Sequence, residues 1–236
     1  VDRELPTHVG PLLVAGLSGP VTFAGSLALA SAEILGDMVL SYVLGQVPHY
    51  GGSIHVADPT NLMTSFGAPN LALFAIAMAQ MTEYYGFPKG GTNVGLTDAN
   101  IPDFQSGFER GMTATFGVLT GMRGVGMLGI AGADQGASLE QLVIDNEWIE
   151  ALNFVLRGFE VNEVIKSVGP GGNFIGEIHT ANHLRNNMFI SGLFPREPWP
   201  MWETTGCHDV SARAHAKVEA ILSKHYPPKP AIDEEL

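Results

Sequence analysis

A strand, a loop and a helix follow one another four times within residues 1–160, and this recurrence limits the possible folds more than any other feature. The first unit opens on the apolar run Leu12-Leu13-Val14-Ala15-Gly16, turns through Leu17-Ser18-Gly19-Pro20, and continues as a helical segment from about Val21 to Leu44. The second has a strand near His49 to Val56, a loop Asp58-Pro59-Thr60-Asn61, and a helix from about Asn70 to Tyr85. The third has a short strand around Thr92 to Leu96, a loop from Thr97 to Asp103, and a helix ending near Leu119. The fourth has a strand around Val125 to Ala131, a loop Gly132-Ala133-Asp134-Gln135-Gly136, and a helix from about Leu139 to Arg157. A tight turn cannot join parallel strands, so strands separated by helical crossovers are expected to run parallel. The expected class is therefore α/β. A doubly wound open sheet and part of an eight-stranded barrel both satisfy the pattern. No Gly-x-Gly-x-x-Gly follows the first run, which counts against the dinucleotide-binding version.

The helices have an unusual composition. In the first, Ser26, Glu33 and Asp37 form a narrow stripe, and nearly everything else is small or apolar. In the second, Leu71, Leu73, Phe74, Ile76, Met78 and Met81 cover most of the circumference. A helix on the outside of a barrel normally keeps a wide polar face. These two are expected to pack on a sheet on one side and on another subunit, or a complementary half-barrel chain, on the other. Glu33 and Asp37 near the middle of the apolar stretch make a membrane span an unfavourable reading. No basic segment followed by an apolar one marks a signal peptide near Val1. Lys and Arg total 12 against 24 Asp and Glu, a formal charge of −12, so nucleic acid is not an expected partner. The lone cysteine, Cys207, excludes an internal disulfide framework and fits a cytoplasmic setting. Beyond residue 160 the pattern changes. Short helices are expected over Val161 to Val168, Thr180 to Met188 and Ser211 to Lys224, making residues 161–226 a helical extension before a disordered tail at 227–236.

In parallel βα folds, ligands meet the carboxyl ends of the strands. That rule selects Ser18 and Thr22 after the first strand; His55, Asp58 and Asn61 after the second; Asp98, Asn100, Asp103 and Gln105 after the third; and Asp134 and Gln135 after the fourth. Three of the four loops bring carboxylates, a set suited to a cation. Competing structural roles are written into the same residues. Asp103 and Asp134 stand where Asp caps a helix or turn, Ser138-Leu139-Glu140-Gln141 resembles a helix start, and His55 suits a buried core position. His179 and His183 have metal-ligand spacing, but Thr180 stands where the zincin pattern has Glu, so no metal is expected. Gly169-Pro170-Gly171-Gly172 is a loop able to cradle a phosphate, without the Lys-Ser/Thr that would strengthen that reading.

Several segments, in order along the chain, resemble the corrinoid-dependent trimethylamine methyltransferase family. They are Gly19-Pro20-Val21-Thr22-Phe23-Ala24-Gly25-Ser26-Leu27-Ala28-Leu29-Ala30, Glu83-Tyr84-Tyr85-Gly86-Phe87-Pro88, Gly95-Leu96-Thr97-Asp98-Ala99, Pro102-Asp103, Gln141-Leu142-Val143-Ile144-Asp145, Arg157-Gly158-Phe159-Glu160-Val161, and Val168-Gly169-Pro170-Gly171-Gly172 with His179-Thr180. The resemblance implies a TIM-type (β/α)8 barrel, of which residues 1–160 would be the C-terminal half. It also implies methyl transfer from a quaternary or tertiary methylated amine to the Co(I) of a corrinoid carried by a separate protein. The chain has no pyrrolysine, the residue associated with trimethylamine use, which favours a quaternary substrate of the betaine kind. On this reading His55, Asp58, Phe66, Asp98, Asp103, Phe104, Gln105, Asp134 and Gln135 face the substrate, with Tyr50 a further aromatic wall. Ser18, Thr22 and His179 face the corrinoid. Family members often read Asp-Met-Arg where this chain reads Asp58-Pro59-Thr60. An arginine there would suit a betaine carboxylate, so its replacement points to another quaternary amine or another anchor. The alternatives are a non-catalytic half-barrel subunit and a barrel enzyme that binds a phosphorylated substrate through Gly169 to Gly172.

Overall fold

The computed structural model describes residues 10–89, 94–122, 124–159 and 168–225. Its sheet begins with β1 (Leu12–Ala15) and β2 (Ser53–Ala57), joined by the long helix α1 (Phe23–Val43). The two strands pair in parallel, Leu12 opposite Ser53 and Val14 opposite His55, as a helical crossover requires. A short strand, β3 (Thr64–Ser65), then folds back antiparallel on β2 before α2 (Asn70–Tyr84) begins.

Side chains alternate across the sheet. Leu13, Ala15 and Ile54 therefore face the helices, where they pack with Ala30 and Ile34 of α1, Phe74 and Met78 of α2, and Tyr50. Phe23 and Phe74 stack at 4.1 Å between ring centroids and tie the two helices together. Each fully buried side chain of this size contributes about 1.5–3 kcal/mol relative to exposure. The same alternation sends Val14 and His55 to the opposite face, the side on which the strand-end loops gather.

Helix α1 is an inverted amphipath. It buries Ser26, Ala30, Ser31, Ile34 and Ser41. Two of these hydroxyls have named partners: Ser26 donates to the Pro20 carbonyl, and Ser31 accepts from the Tyr50 hydroxyl. Its outer side exposes Val39 (65%), Tyr42 (74%) and Val43 (73%). Among the described residues, α1 is the helix long and apolar enough to cross a membrane by length and composition.

The third and fourth units depart from regular strands. Val94 to Ala99 is buried apart from half-buried Asp98, yet carries no strand among the described residues. Gly95 adopts φ +81, which interrupts an extended run and which a side-chain-bearing residue rarely tolerates. The expected strand at Val125 to Ala131 contracts to β4 (Ile130–Ala131), because Met127 turns left-handed at φ 39. β4 pairs antiparallel with β5 (Gly136–Ala137) in a hairpin. The two segments still lie side by side in the same sense, with Gly126 N–H donating to the Val94 carbonyl and Gly132 N–H to that of Ala99.

The helices that follow start where capping chemistry places them. Asp103 accepts from the Ser106 N–H and opens α3 (Phe104–Leu119); Ser138 accepts from the Gln141 N–H and opens α4 (Leu139–Leu156). Three further helices are described: α5 (Ile178–Asn187), α6 (Trp199–Thr204) and α7 (Val210–Leu222). α7 packs back on α4. The helix expected at Val161 to Val168, save its last residue, and the tail at 227–236 lie outside the described residues.

Candidate functional site

The loops after β2, after Val94–Ala99 and within the β4–β5 hairpin enclose a hollow of about 250 Å³. Asp58, Asn61, Met63, Thr64 and Ser65 form one side; Asp98 and Asn100 stand opposite; Gly132, Ala133 and Gln135 complete it. The volume is just below the usual range of small-ligand pockets, roughly 300–1,000 Å³. Its lining includes two carboxylates and no Lys or Arg.

Asp98 is the hub of this site. Its Oδ1 accepts from the Phe66 N–H at 2.7 Å, and its Oδ2 accepts from the Ser65 hydroxyl at 2.5 Å and the Gly67 N–H at 3.2 Å. One carboxylate thus fastens the turn between β3 and α2 to the third segment. Asp58 braces its own loop through the Thr60 N–H and hydroxyl, and these bonds hold its carboxyl below the ordinary Asp range. Asn61 does the same for Met63 N–H. In the hairpin, Ala133 and Asp134 are both left-handed, at φ 51 and 69. Such conformations cost about 1–3 kcal/mol each and collect at functional sites.

Beneath the loops, His55 is fully buried (0% exposed), and its ring lies 4.6 Å from that of Phe66. Among the described residues neither ring nitrogen makes a hydrogen bond of full geometry, although the Ser65 backbone lies close enough to act on the ring. Burial pushes its pKa below the usual imidazole range, against the opposing influence of the Ser65 backbone, Asp98 and Asp134. Burial thus disfavours a charged imidazole beneath the acidic loops.

The structure gathers some of the sequence-selected residues and disperses others. Asp58, Asp98 and Gln135 line the hollow, with the companions Asn61 and Asn100. His55 and Phe66 lie buried near them, and Asp134 stands exposed in the hairpin loop. Asp103 serves as the cap of α3, a role its place in the sequence also allowed. Phe104 is 87% exposed and stacks on Phe108, and Gln105 donates to Glu109. Tyr50 lies in the core under α1, where burial raises its phenol pKa and its hydroxyl donates to Ser31. Ser18 Oγ accepts from the Val14 N–H within the turn after β1, and Thr22 is the exposed N-cap of α1. His179 stacks on His183 at 4.3 Å on α5, and the Gly169 to Gly172 loop is a solvent-exposed turn; neither lines the hollow.

Ser65 and Glu109 were not among the sequence-selected residues. Ser65 meets Asp98 across 33 positions, and Glu109 reaches the Asp98 N–H from within α3. No spacing in the chain announces either contact.

A second hollow, of about 420 Å³, lies between the ends of α3 and α4 and is lined by Met122, Ile149, Leu152 and other residues, none of them ionisable. It offers no chemistry comparable to that of the acidic hollow. Among the described residues, no three His, Cys, Asp or Glu side chains converge as metal ligands.

The whole chain, residues 1–236, matches the family model described as trimethylamine methyltransferase (MTTB). It is 32% identical to a glycine betaine methyltransferase of Desulfitobacterium hafniense, over 97% of this chain and 49% of that protein. It is 34% identical to the trimethylamine methyltransferase MttB1 of Methanosarcina mazei, over 94% of this chain and 46% of that protein. A trimethylamine methyltransferase MttB of another D. hafniense strain is 31% identical, over 96% and 47% respectively. The chain spans about half the length of the curated relatives it matches. A match that runs from the first residue to the last, with relatives that agree in kind, places this chain in the trimethylamine methyltransferase family.

Proposed function

We propose that the chain forms one side of the active site of an amine:corrinoid protein methyltransferase, with the acidic hollow holding a small methylated ammonium. The observation that supports this most directly is the pairing of Asp58 and Asp98 around a cavity without Lys or Arg, in a member of this family. Carboxylates at close range favour a cation, and more so where solvent is partly excluded. Asp134, exposed in the adjoining hairpin, adds to the same field. The rim formed by Asn61 and Gln135 is exposed, leaving room for a large partner at the mouth.

The chemistry asks little of the protein beyond placement. A reduced corrinoid on its carrier protein supplies Co(I) as the nucleophile when the two proteins meet. The methyl group would pass to that nucleophile as the carbon–nitrogen bond breaks and its electron pair returns to nitrogen, so that a quaternary ammonium would depart as a neutral amine. No proton donor is needed. Holding the reacting carbon in line is the contribution this chain makes. The relatives' names point to glycine betaine or trimethylamine. The absence of an arginine from Asp58-Pro59-Thr60 favours a quaternary amine bound without a guanidinium anchor.

The fold proposed with this function is a TIM-type barrel in which β1, β2 and the two irregular segments are successive staves. The parallel β1–β2 pair under α1 and α2, and the side-by-side run of the third and fourth segments, support it. The remaining staves would come from sequence equivalent to the unmatched half of the relatives, or from a partner chain. The lone Cys207 is consistent with a cytoplasmic setting. A second reading, an assembly subunit without activity of its own, draws on the exposed apolar side of α1.

The test is to incubate the protein with a reduced corrinoid protein and a panel of betaines and methylamines, following the cobalt spectrum. Loss of the Co(I) band with one or more amines is expected. A spectrum unchanged by every amine, with an active control enzyme present, would overturn the proposal.

A further inference from the structure

Helix α3 does for the third segment what a neighbouring strand does for β1. Val94 to Ala99 forms no regular ladder among the described residues, so its polar backbone groups need other partners. The fourth segment serves the Val94, Thr97 and Ala99 carbonyls, and side chains one turn apart on α3 serve Gly95 and Asp98. Thr113 Oγ1 accepts from the Gly95 N–H at 3.0 Å, and Arg110 Nη1 donates to the Gly95 carbonyl at 2.7 Å. Glu109 Oε2 accepts from the Asp98 N–H at 2.8 Å and from the Thr97 hydroxyl at 2.6 Å. Its Oε1 accepts from Gln105 Nε2 at 2.8 Å.

Glu109 also lies directly against the turn that Asp98 grips. A methyl group placed on Gly67 would overlap the Glu109 carboxylate, so the turn and this acid are in close approach. The same acid thus fixes the backbone of Asp98 from below and abuts the Ser65–Gly67 turn held by the Asp98 side chain. It does not itself line the hollow.

We infer that Glu109 is the positioning residue of the candidate site, acting through Asp98 as a hydrogen-bond acceptor and not as a charge presented to the ligand. The inference rests on the cation-site reading of the hollow, but its structural arm stands apart from that reading. An acceptor role makes a specific demand: Glu109→Gln keeps an oxygen for Thr97 and Asp98, and Gln105 can turn its amide to suit. Glu109→Ala leaves both donors and the Gly67 turn unsupported.

The experiment uses the full chain and tetramethylammonium as probe, with binding measured by calorimetry and amide hydrogen exchange followed residue by residue. Glu109→Gln is expected to bind within about twofold of the parent. Glu109→Ala is expected to bind about tenfold more weakly or worse, because the Thr97 hydroxyl and the Asp98 N–H both lose their acceptor. Its Phe66, Gly67 and Asp98 amides should exchange at least about tenfold faster, while those of β1 and β2 stay as in the parent. If Glu109→Ala does not fold, Gly67→Ala, which crowds the carboxylate without replacing it, should speed exchange at the same three amides. Equal loss of binding in the Gln and Ala variants would overturn the inference by showing a direct charge effect. Unchanged exchange at those amides in the folded variant would overturn it as well. A parent that ignores tetramethylammonium would sink the cation-site reading, while the exchange pattern would still decide the role of Glu109.

Discussion

Asp98 shows how little freedom a site residue keeps once its neighbours are counted. Its two oxygens take three donors from the Ser65–Gly67 turn, so an amide in its place would turn an N–H toward one of them. Asp98→Asn should therefore cost about 1–3 kcal/mol, read from urea unfolding, and weaken ammonium binding in the same variant. His55 makes the opposite kind of prediction. Its folded pKa lies below the unfolded value, so the unfolded chain binds more protons between the two. Stability should fall as pH drops below about 6.5, the ordinary imidazole value, and level off once the folded pKa is passed. His55→Leu should flatten that part of the stability–pH curve. An unaltered slope would mean that another group sets it.

At the scale of elements, buried polar pairs hold the helices to the irregular segments. Arg110 (1% exposed) and Asp145 (0%) pair at 3.0 Å between α3 and α4. Asp145 also accepts from the Gly129 N–H, Gln141 Nε2 and Trp148 Nε1, and Arg110 also donates to the Ile130 carbonyl. Burial lowers the Arg110 pKa, and Asp145 and Glu109 oppose that shift. Removing one partner strands the other, so Arg110→Met or Asp145→Leu should each destabilise by about 3–5 kcal/mol in a denaturant titration. Docking of α7 on α4 follows different electrostatics. His215 Nδ1 lies 2.9 Å from Glu140, which holds the Glu140 pKa down to about 2 and raises that of His215. The Glu140 contribution is present above its usual value, about 4.3, and is lost as pH falls through about 2. The His215 contribution is complete below about 6.5 and disappears as pH rises through its raised folded value. Protection of the α7 amides, taken as the intrinsic exchange rate divided by the observed one, should thus be greatest between those limits and fall in alkali, a change that His215→Ala removes.

At the scale of the whole molecule, the outer side of α1 is the feature most in need of a covering surface. Val39, Tyr42 and Val43 are exposed together on a helix whose serines point inward. If this side is an assembly surface, Val39→Glu with Val43→Glu should shift the mass measured by light scattering to a smaller species while leaving the circular dichroism unchanged. A parent of monomer mass would remove the basis for that expectation. The family was legible in ordered segments such as Gly95-Leu96-Thr97-Asp98-Ala99, and four helices were legible in period and caps. Asp103 and Ser138 mark their helix starts by local hydrogen bonds that need no tertiary partner. The third and fourth strands were not legible in this way, because runs that read as strands contain Gly95 and Met127, whose left-handed backbones only the folded surroundings specify.

What the chain determined by itself was therefore local: the first two strands, the starts of its helices, the acidic character of its loops and the kin it belongs to. What the tertiary structure decided was which of those acids meet. Asp58 and Asp98 share a hollow while Asp103 caps a helix, although all three follow runs that read as strands in the sequence. Glu109, unremarked in its helix, supports the site through bonds to Thr97 and Asp98. Capping and periodicity act over a few residues, whereas a carboxylate's final partners are chosen by packing between segments tens of residues apart.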